Sequence, residues 1–192
     1  MTERNCSKQG LTIFLTGLPA AGKTTIANHL RFRLMGILGR PVHLLDADEL
    51  RKTSSSDLGF SREDRNENVR RMGGLAFDIT RSGGIAICAA IAPYDAARKT
   101  VRQVISTAGD FCLVHINTPV DVCEGRDPKG EYARARAGIL AHFTGVSDPY
   151  EPPDDAAITI DTAETSAERA TEIIVQWLNA KGYFSNLRPA TR

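Results

Sequence analysis

An excess of charge of either sign is missing from this chain of 192 residues: 24 lysines and arginines stand against 23 acidic residues, a formal charge of +1. That balance gives no global field to draw in a nucleic-acid polymer or a membrane surface, so any anionic ligand has to be met by local groups. Long hydrophobic runs are missing too. No stretch approaches the ~18 apolar residues of a membrane span, and Met1 to Gly10 is polar, without the apolar run of a signal peptide; the expectation is a cytoplasmic protein. The four cysteines, Cys6, Cys88, Cys112 and Cys123, show no metal-type pairing. Cys88 and Cys112 lie in apolar runs, which reads as buried thiols in a reducing compartment. Neither an internal repeat nor a linker rich in Gly or Ser marks a domain boundary. What remains, 42% hydrophobic and 24% charged residues, suffices for the core of one domain spanning residues 1–192.

Apolar bursts alternate with amphipathic stretches. Leu11 to Thr16, Val42 to Asp46, Ile85 to Ile91, Phe111 to Asn117 and Ala157 to Asp161 read as short buried strands. Helices are expected over Lys23 to Met35, Arg62 to Arg81, Tyr94 to Ala108 and Ala167 to Ala180, with Ser61 and Asp64 forming a capping box with a shortened acid. The alternation predicts an α/β fold, a parallel five-stranded sheet with helices on both faces. One segment, about 125–153, breaks the rhythm: it is long for a connection, and Arg126, Lys129, Arg134 and Arg136 make it too charged for core, as a mobile lid would be. Tyr183 to Arg192 has no apolar period and reads as a frayed tail.

Gly17-Leu18-Pro19-Ala20-Ala21-Gly22-Lys23-Thr24 matches G-x-x-x-x-G-K-[ST] between an expected strand and an expected helix, a P-loop in its proper context. Its glycines let the backbone wrap a phosphate, its amides face the anion, Lys23 reaches the β- and γ-phosphates, and the Thr24 hydroxyl ligates Mg²⁺. Gly17, Ala20, Ala21, Gly22, Lys23, Thr24 and Thr25 are thus the expected ATP cradle. The bland alternative is a glycine turn at a strand–helix junction.

Asp46 and Asp48 leave the end of the second strand, where open parallel sheets bind ligands. One carboxylate would orient or deprotonate an acceptor hydroxyl and the other would hold metal through water; capping the next helix is the competing role, nearly as good for Asp46. On the helix from Arg62, Val69, Met72, Ala76 and Ile79 form an apolar stripe that Arg65 and Asn68 extend. An inward-facing arginine needs an anion, so substrate is a natural partner for Arg65, with an ion pair to a helix or lid carboxylate as the alternative. Arg70 and Arg71 point elsewhere and read as solvated.

These residues, together with Leu45 to Arg51, Leu58-Gly59-Phe60-Ser61, Asp64-Arg65, Glu67-Asn68, Ala92-Pro93-Tyr94, Arg126-Asp127-Pro128-Lys129-Gly130, Ala135-Arg136-Ala137-Gly138, Phe143-Thr144-Gly145 and Pro149-Tyr150-Glu151, resemble the adenylyl-sulfate kinase (APS kinase) family. Its members phosphorylate the 3′-hydroxyl of adenosine 5′-phosphosulfate (APS) with MgATP. The resemblance spans residues 11 to 153 and implies Phe60 and Phe143 around the adenine of APS, and Arg51, Arg65 and Asn68 on its phosphosulfate. It also implies Ile91, Ala92 and Arg134 at the acceptor side, Arg126 and Lys129 on the ATP side, and Lys23, Asp48 and Lys129 in catalysis. The implied partners are ATP and APS, with Mg²⁺ as cofactor; a homodimer stands as an open alternative to a monomer.

The chain departs from the family pattern at three places. Ala47 replaces the glycine of Asp-Gly-Asp, Arg134 replaces a lysine, and Ala92 stands where many members have serine, although alanine is familiar there in the kinase halves of bifunctional ATP sulfurylase–APS kinase proteins. With no hydroxyl at position 92, transfer is expected to be direct. A kinase of another nucleotide-like acceptor, which Ala47 would favour, and a nucleotide-binding protein without turnover are the competing functions.

Overall fold

The computed structural model describes residues 10–184. Strands β1 (Leu11–Gly17), β2 (His43–Asp46), β3 (Ile85–Ala89), β4 (Asp110–Ile116) and β5 (Ile158–Ile160) form one sheet in the order β2-β3-β1-β4-β5, every pairing parallel. The expected α/β architecture is therefore the observed one. Helices are α1 (Lys23–Leu38), α2 (Ala47–Arg51), α3 (Arg62–Arg81), α4 (Asp95–Ile105), α5 (Val120–Arg126), α6 (Glu131–Arg136) and α7 (Ala167–Ala180).

The central strands alternate their side chains between two apolar layers, because successive residues of a strand point to opposite faces. Leu11, Ile13 and Leu15 of β1 join Ile26, Leu30 and Leu34 of α1 and Ile174 and Leu178 of α7 in one cluster. Phe14, between them, joins Val69, Met72 and Ala76 of α3 and Val101 and Ile105 of α4 in the other. Cys88 faces the α3–α4 layer, while Cys112 and Cys123 lie in the α1–α7 layer; all three thiols are free and buried. Since β1 lies between β3 and β4, the chain leaves the sheet in opposite directions on its two sides. The carboxyl end of β1 is the switch point where such sheets open a crevice.

Local chemistry sets the element ends. Ser61 caps α3: its Oγ accepts from the Asp64 N–H at 3.1 Å and donates to Asp64 Oδ2 at 2.9 Å. Helix α1 runs three residues past the expected Met35 and stops at Gly39, whose left-handed φ of 60° turns its N–H back onto the Met35 carbonyl, as an αL cap does. Strand β3 ends at Ala89 instead of Ile91, because Ala92 turns to φ 43°.

The segment 125–153 departs most from expectation. It carries the end of α5 and all of α6, and Tyr132, Ala135 and Phe143 are buried in the α1–α7 core layer. Its charges face outward while one apolar face packs inward, so the charge count concealed an amphipathic helix. The expected frayed tail begins too early: Tyr183 and Phe184 pack against the core, and 185–192 lie outside the described residues.

Candidate active site

Gly17 to Thr24 forms the turn from β1 into α1. At Gly17 a Cβ would sit 2.4 Å from the Ile116 carbonyl oxygen, and Gly22 has φ 96°, so a side chain at either would force the loop open. Helix α1 differs from α3 and α7 at its start. Those two are capped by Ser61 and Ser166, whereas Gly22 offers α1 no side-chain cap and its first turn holds no acid. Its amides and the positive end of its dipole therefore remain for an anion.

Lys23 lies against this loop, 9% exposed, with Nζ donating to the Leu18 carbonyl at 2.6 Å. Burial, opposed by the nearby carboxylates Asp48 and Asp46, lowers its pKa to about 8. A phosphate supplied by nucleotide restores the charged form, so binding near this pH takes up a proton. Calorimetry of a non-hydrolysable MgATP analogue at pH 8, in buffers of different ionisation enthalpy, is expected to report uptake of about half a proton, rising toward one at pH 9. Heat independent of buffer at both values would contradict the placement of Lys23 on phosphate.

Two threonines that sequence reading did not single out anchor the loop. Thr118 Oγ1 and Thr162 Oγ1 donate to the Ala21 carbonyl at 3.3 and 2.9 Å and lie 2.7 Å from each other. Arg126 donates to Thr162 Oγ1 and to its carbonyl at 2.8 and 2.7 Å, which puts this guanidinium beside the P-loop on the β4–β5 side. Tyr132 reaches the loop from α6, donating to the Pro19 carbonyl at 3.2 Å.

On the other flank, Asp46 takes the capping role and also meets the P-loop hydroxyl. Its Oδ1 accepts from the Asp48 N–H at 2.9 Å, capping α2, and its Oδ2 accepts from Thr24 Oγ1 at 2.7 Å. Asp48 is exposed on the first turn of α2, and Lys129 crosses from the segment before α6 to donate to its Oδ2 at 2.6 Å. The hydrogen bond raises the Lys129 pKa. Thus Lys129, expected on the ATP side, touches the carboxylate expected to face the acceptor. Ala47 is the first residue of α2 and packs its methyl against the α3–α4 core layer; its φ is not positive, so the backbone there has no need of glycine.

Around Phe60 the polar groups lack counter-ions. Phe60 is 55% exposed, and the guanidinium carbons of Arg51 and Arg65 stand 4.7 and 5.6 Å from its ring centroid. Arg51 donates to the Gly59 carbonyl at 2.6 Å; Arg65, 7% exposed, donates to the Phe60 carbonyl at 2.9 Å and to that of His142. Among the described residues, no carboxylate forms an ion pair with either. The ion-pair alternative for Arg65 is therefore not realised, and burial lowers its pKa. Asn68 is 3% exposed and its Oδ1 has no partner.

The remaining expected site residues are placed unevenly. Ile91 is half-buried and Ala92 buried on the β3–α4 connection. Arg134 is exposed, with no side-chain hydrogen bond or ion pair among the described residues. Phe143, expected beside the adenine with Phe60, is 6% exposed and packs edge-on to Tyr132, centroids 4.9 Å apart. Arg71, expected to be solvated, is partly exposed and pairs with Asp57 and Glu67 at 2.6 and 2.9 Å. A cavity of about 520 Å³ lies between the β4–α5 turn and residues 145–152. It touches the P-loop through Leu18, and none of Asp48, Arg51, Phe60, Arg65 or Asn68 lines it, so the chemistry is read from the polar constellation instead.

A P-loop at the switch point of a parallel sheet, with a lysine, a hydroxyl–carboxylate pair and a basic crossing segment, defines an ATP-dependent phosphotransferase of the P-loop kinase class. Within that class the chain belongs to the adenylylsulphate kinase family, which matches residues 9–161. It is 47% identical to an adenylyl-sulfate kinase of a Synechococcus strain, covering 92% of this chain and 98% of that one. It is 46% identical to a sulfate adenylyltransferase of Aspergillus oryzae, of whose length it spans 31%. Among solved structures it resembles the Mycobacterium tuberculosis APS kinase in complex with AMPPNP and APS, at 36% identity and a TM-score of 0.85, covering 89% of this chain and 98% of that one.

Proposed function

We propose that this chain transfers the γ-phosphoryl group of MgATP to the 3′-hydroxyl of adenosine 5′-phosphosulfate, giving the 3′-phosphorylated nucleotide and ADP. The observation that carries the reading is the exposed ring of Phe60 between two guanidiniums without carboxylate partners. A base to stack and an anionic group to neutralise are what that surface lacks, and a sulfated nucleotide supplies both.

In this reading the uncapped start of α1 and Lys23 hold the triphosphate, Arg126 and Thr162 border its nucleoside end, and Arg51, Arg65 and Asn68 take the phosphosulfate. Phe60 is the adenine platform, Phe143 closes the pocket from its buried position, and Ile91, Ala92 and Arg134 border the acceptor. Thr24 and Asp46 fit Mg²⁺, since a hydroxyl and a carboxylate oxygen converge within 2.7 Å and this cation prefers few protein oxygens beside those of phosphate. When bound, the ion would neutralise charge on the triphosphate. The 3′-oxygen bonds to γ-phosphorus, the bond to the β–γ bridging oxygen breaks, and the hydroxyl proton passes to Asp48. Segment 125–153 acts as the lid that brings Lys129 and Arg126 over both nucleotides. The buried thiols support a reducing cytoplasmic setting.

A kinase of another nucleotide remains the second reading, but the Ala47 methyl that favoured it packs into the core. ADP release followed with APS and with a panel of nucleosides and nucleotides tests both. APS is expected to exceed every other acceptor in kcat/KM by about a hundredfold or more. Phe60→Ala is expected to raise KM for APS roughly tenfold with KM for MgATP within twofold. Equal turnover of a non-sulfated nucleotide would reject the assignment.

A further inference from the structure

Three consecutive carbonyls of the β3–α4 connection are each held from outside the loop. Thr16 Oγ1 donates to the Ile91 carbonyl at 2.6 Å, Arg98 Nη1 to that of Ala92 at 2.7 Å, and the Glu151 N–H to that of Pro93 at 2.8 Å. Ala92 sits among them at φ 43°, buried. An L-residue enters this conformation at a cost, and persists there only where its surroundings over-determine it.

Arg98 is the centre of that restraint. It is 2% exposed on α4, and its Nη2 also donates to the Glu151 carbonyl at 2.6 Å and to Asp95 Oδ1 at 3.3 Å. The Glu151 carboxylate returns to the Asp95 N–H at 2.7 Å, capping α4, whose own N-cap Tyr94 supplies no side chain. Thr16 spends its proton on Ile91, so Tyr150, 3.0 Å away, is the donor to Thr16 Oγ1. The Tyr150 ring stacks on His115 at 5.8 Å, with Arg98 also 5.8 Å from its centroid. Burial and Arg98 lower the His115 pKa to about 4, so near neutral pH that ring brings no second positive charge beside Arg98.

We propose that Arg98, Tyr150 and Glu151 are positioning residues for the acceptor nucleotide. They lock Ile91–Pro93 to the strap Tyr150–Glu151, where the lid segment rejoins the sheet, so the acceptor wall and the fixed end of the lid form one rigid unit. The inference rests on the assignment of Ile91 and Ala92 to the acceptor side. Among the described residues none of the three hydrogen-bonds to Gly17–Thr24, and the nearest link is Tyr150 to Thr16, so the ATP side is expected to feel their loss less than the acceptor side.

The test compares Arg98→Lys, which keeps the charge but cannot reach all three acceptors, with Tyr150→Phe, which removes only the hydroxyl on Thr16. Tyr150→Phe keeps the stacked ring and carries the test if Arg98→Lys does not fold. Expected are a rise in KM for APS of about tenfold for Arg98→Lys and about threefold for Tyr150→Phe, with kcat within threefold and KM for MgATP within twofold. A general loss of order would raise both KM values together, and that result, or an unchanged KM for APS in the folded variants, would overturn the proposal. If the wild type prefers another acceptor, the same split is read with that acceptor. Wild-type protein that turns over no acceptor would overturn this proposal together with the functional reading, whereas an active wild type with no split would overturn this proposal alone.

Discussion

Replacing Lys23 by alanine is expected to reduce phosphoryl transfer by at least about 10³ while leaving a folded protein. The Lys23 ammonium is the only lysine charge inside the P-loop turn among the described residues, and it is held there by a single carbonyl, that of Leu18. In the transition state, charge is spread over the oxygens of the transferring group, and a preoriented ammonium at low dielectric stabilises it far more than it stabilises the ground state. A factor of 10³ corresponds to about 4 kcal/mol of barrier, within what one such donor supplies.

The fold does not depend on that charge. Burial lowers the Lys23 pKa from 10.5 to about 8, so below pH 8 the native state holds a desolvated ammonium at a cost that the unfolded chain does not bear. Between pH 8 and 10.5 the unfolded chain binds more protons, and this group's cost fades as pH rises. Lys23→Ala removes the cost, so a melting temperature at neutral pH equal to or above that of the wild type is expected. Near wild-type turnover by the folded variant would remove Lys23 from the chemistry. A collapsed melting temperature would show that the loop needs its side chain as packing.

The sheet was readable because each strand is an apolar run whose alternate residues serve two layers; five such runs with helical patterns between them leave little choice of architecture. The P-loop was readable because its chemistry is local: two glycines, one lysine and one hydroxyl at fixed places within eight residues. What was hidden is non-local. Thr118 and Thr162 meet at Ala21 across 97 and 141 positions of sequence, and a threonine after a strand carries no mark of such a contact. Arg98 shares the buried stripe of α4 with Val101 and Ile105, three and seven residues on, but nothing local shows the carbonyls from two loops that converge on it and leave it 2% exposed. The burial of Phe143 was hidden because its neighbours are charged and polar, while its ring partner, Tyr132, lies eleven residues upstream on a helix the charge pattern concealed. For Asp46 the cap and the P-loop contact do not compete, because one carboxylate has two oxygens: one accepts from the Asp48 N–H and the other from Thr24.

Asp48→Asn is the second large effect expected: turnover lower by about 10² or more, with KM for MgATP little changed. The substitution keeps the size of the side chain and removes a base for the acceptor proton. That carboxylate holds Lys129 at 2.6 Å, so the variant also loses a tether between α2 and segment 125–153, and the two losses have to be separated. Both groups are more than half exposed, and an ion pair in that setting contributes little to stability by itself. Lys129→Met breaks the tether while leaving the base. If Asp48 acts as base, Asp48→Asn falls well below Lys129→Met in kcat, and the double variant falls by less than the product of the two single losses, because without the base there is less for Lys129 to assist. If Asp48 only anchors the lid, the two single variants and the double variant lose activity equally. A third pattern, loss of MgATP binding with turnover retained at saturation, would assign Asp48 to the triphosphate beside Thr24 and Asp46 and leave the acceptor hydroxyl to another group.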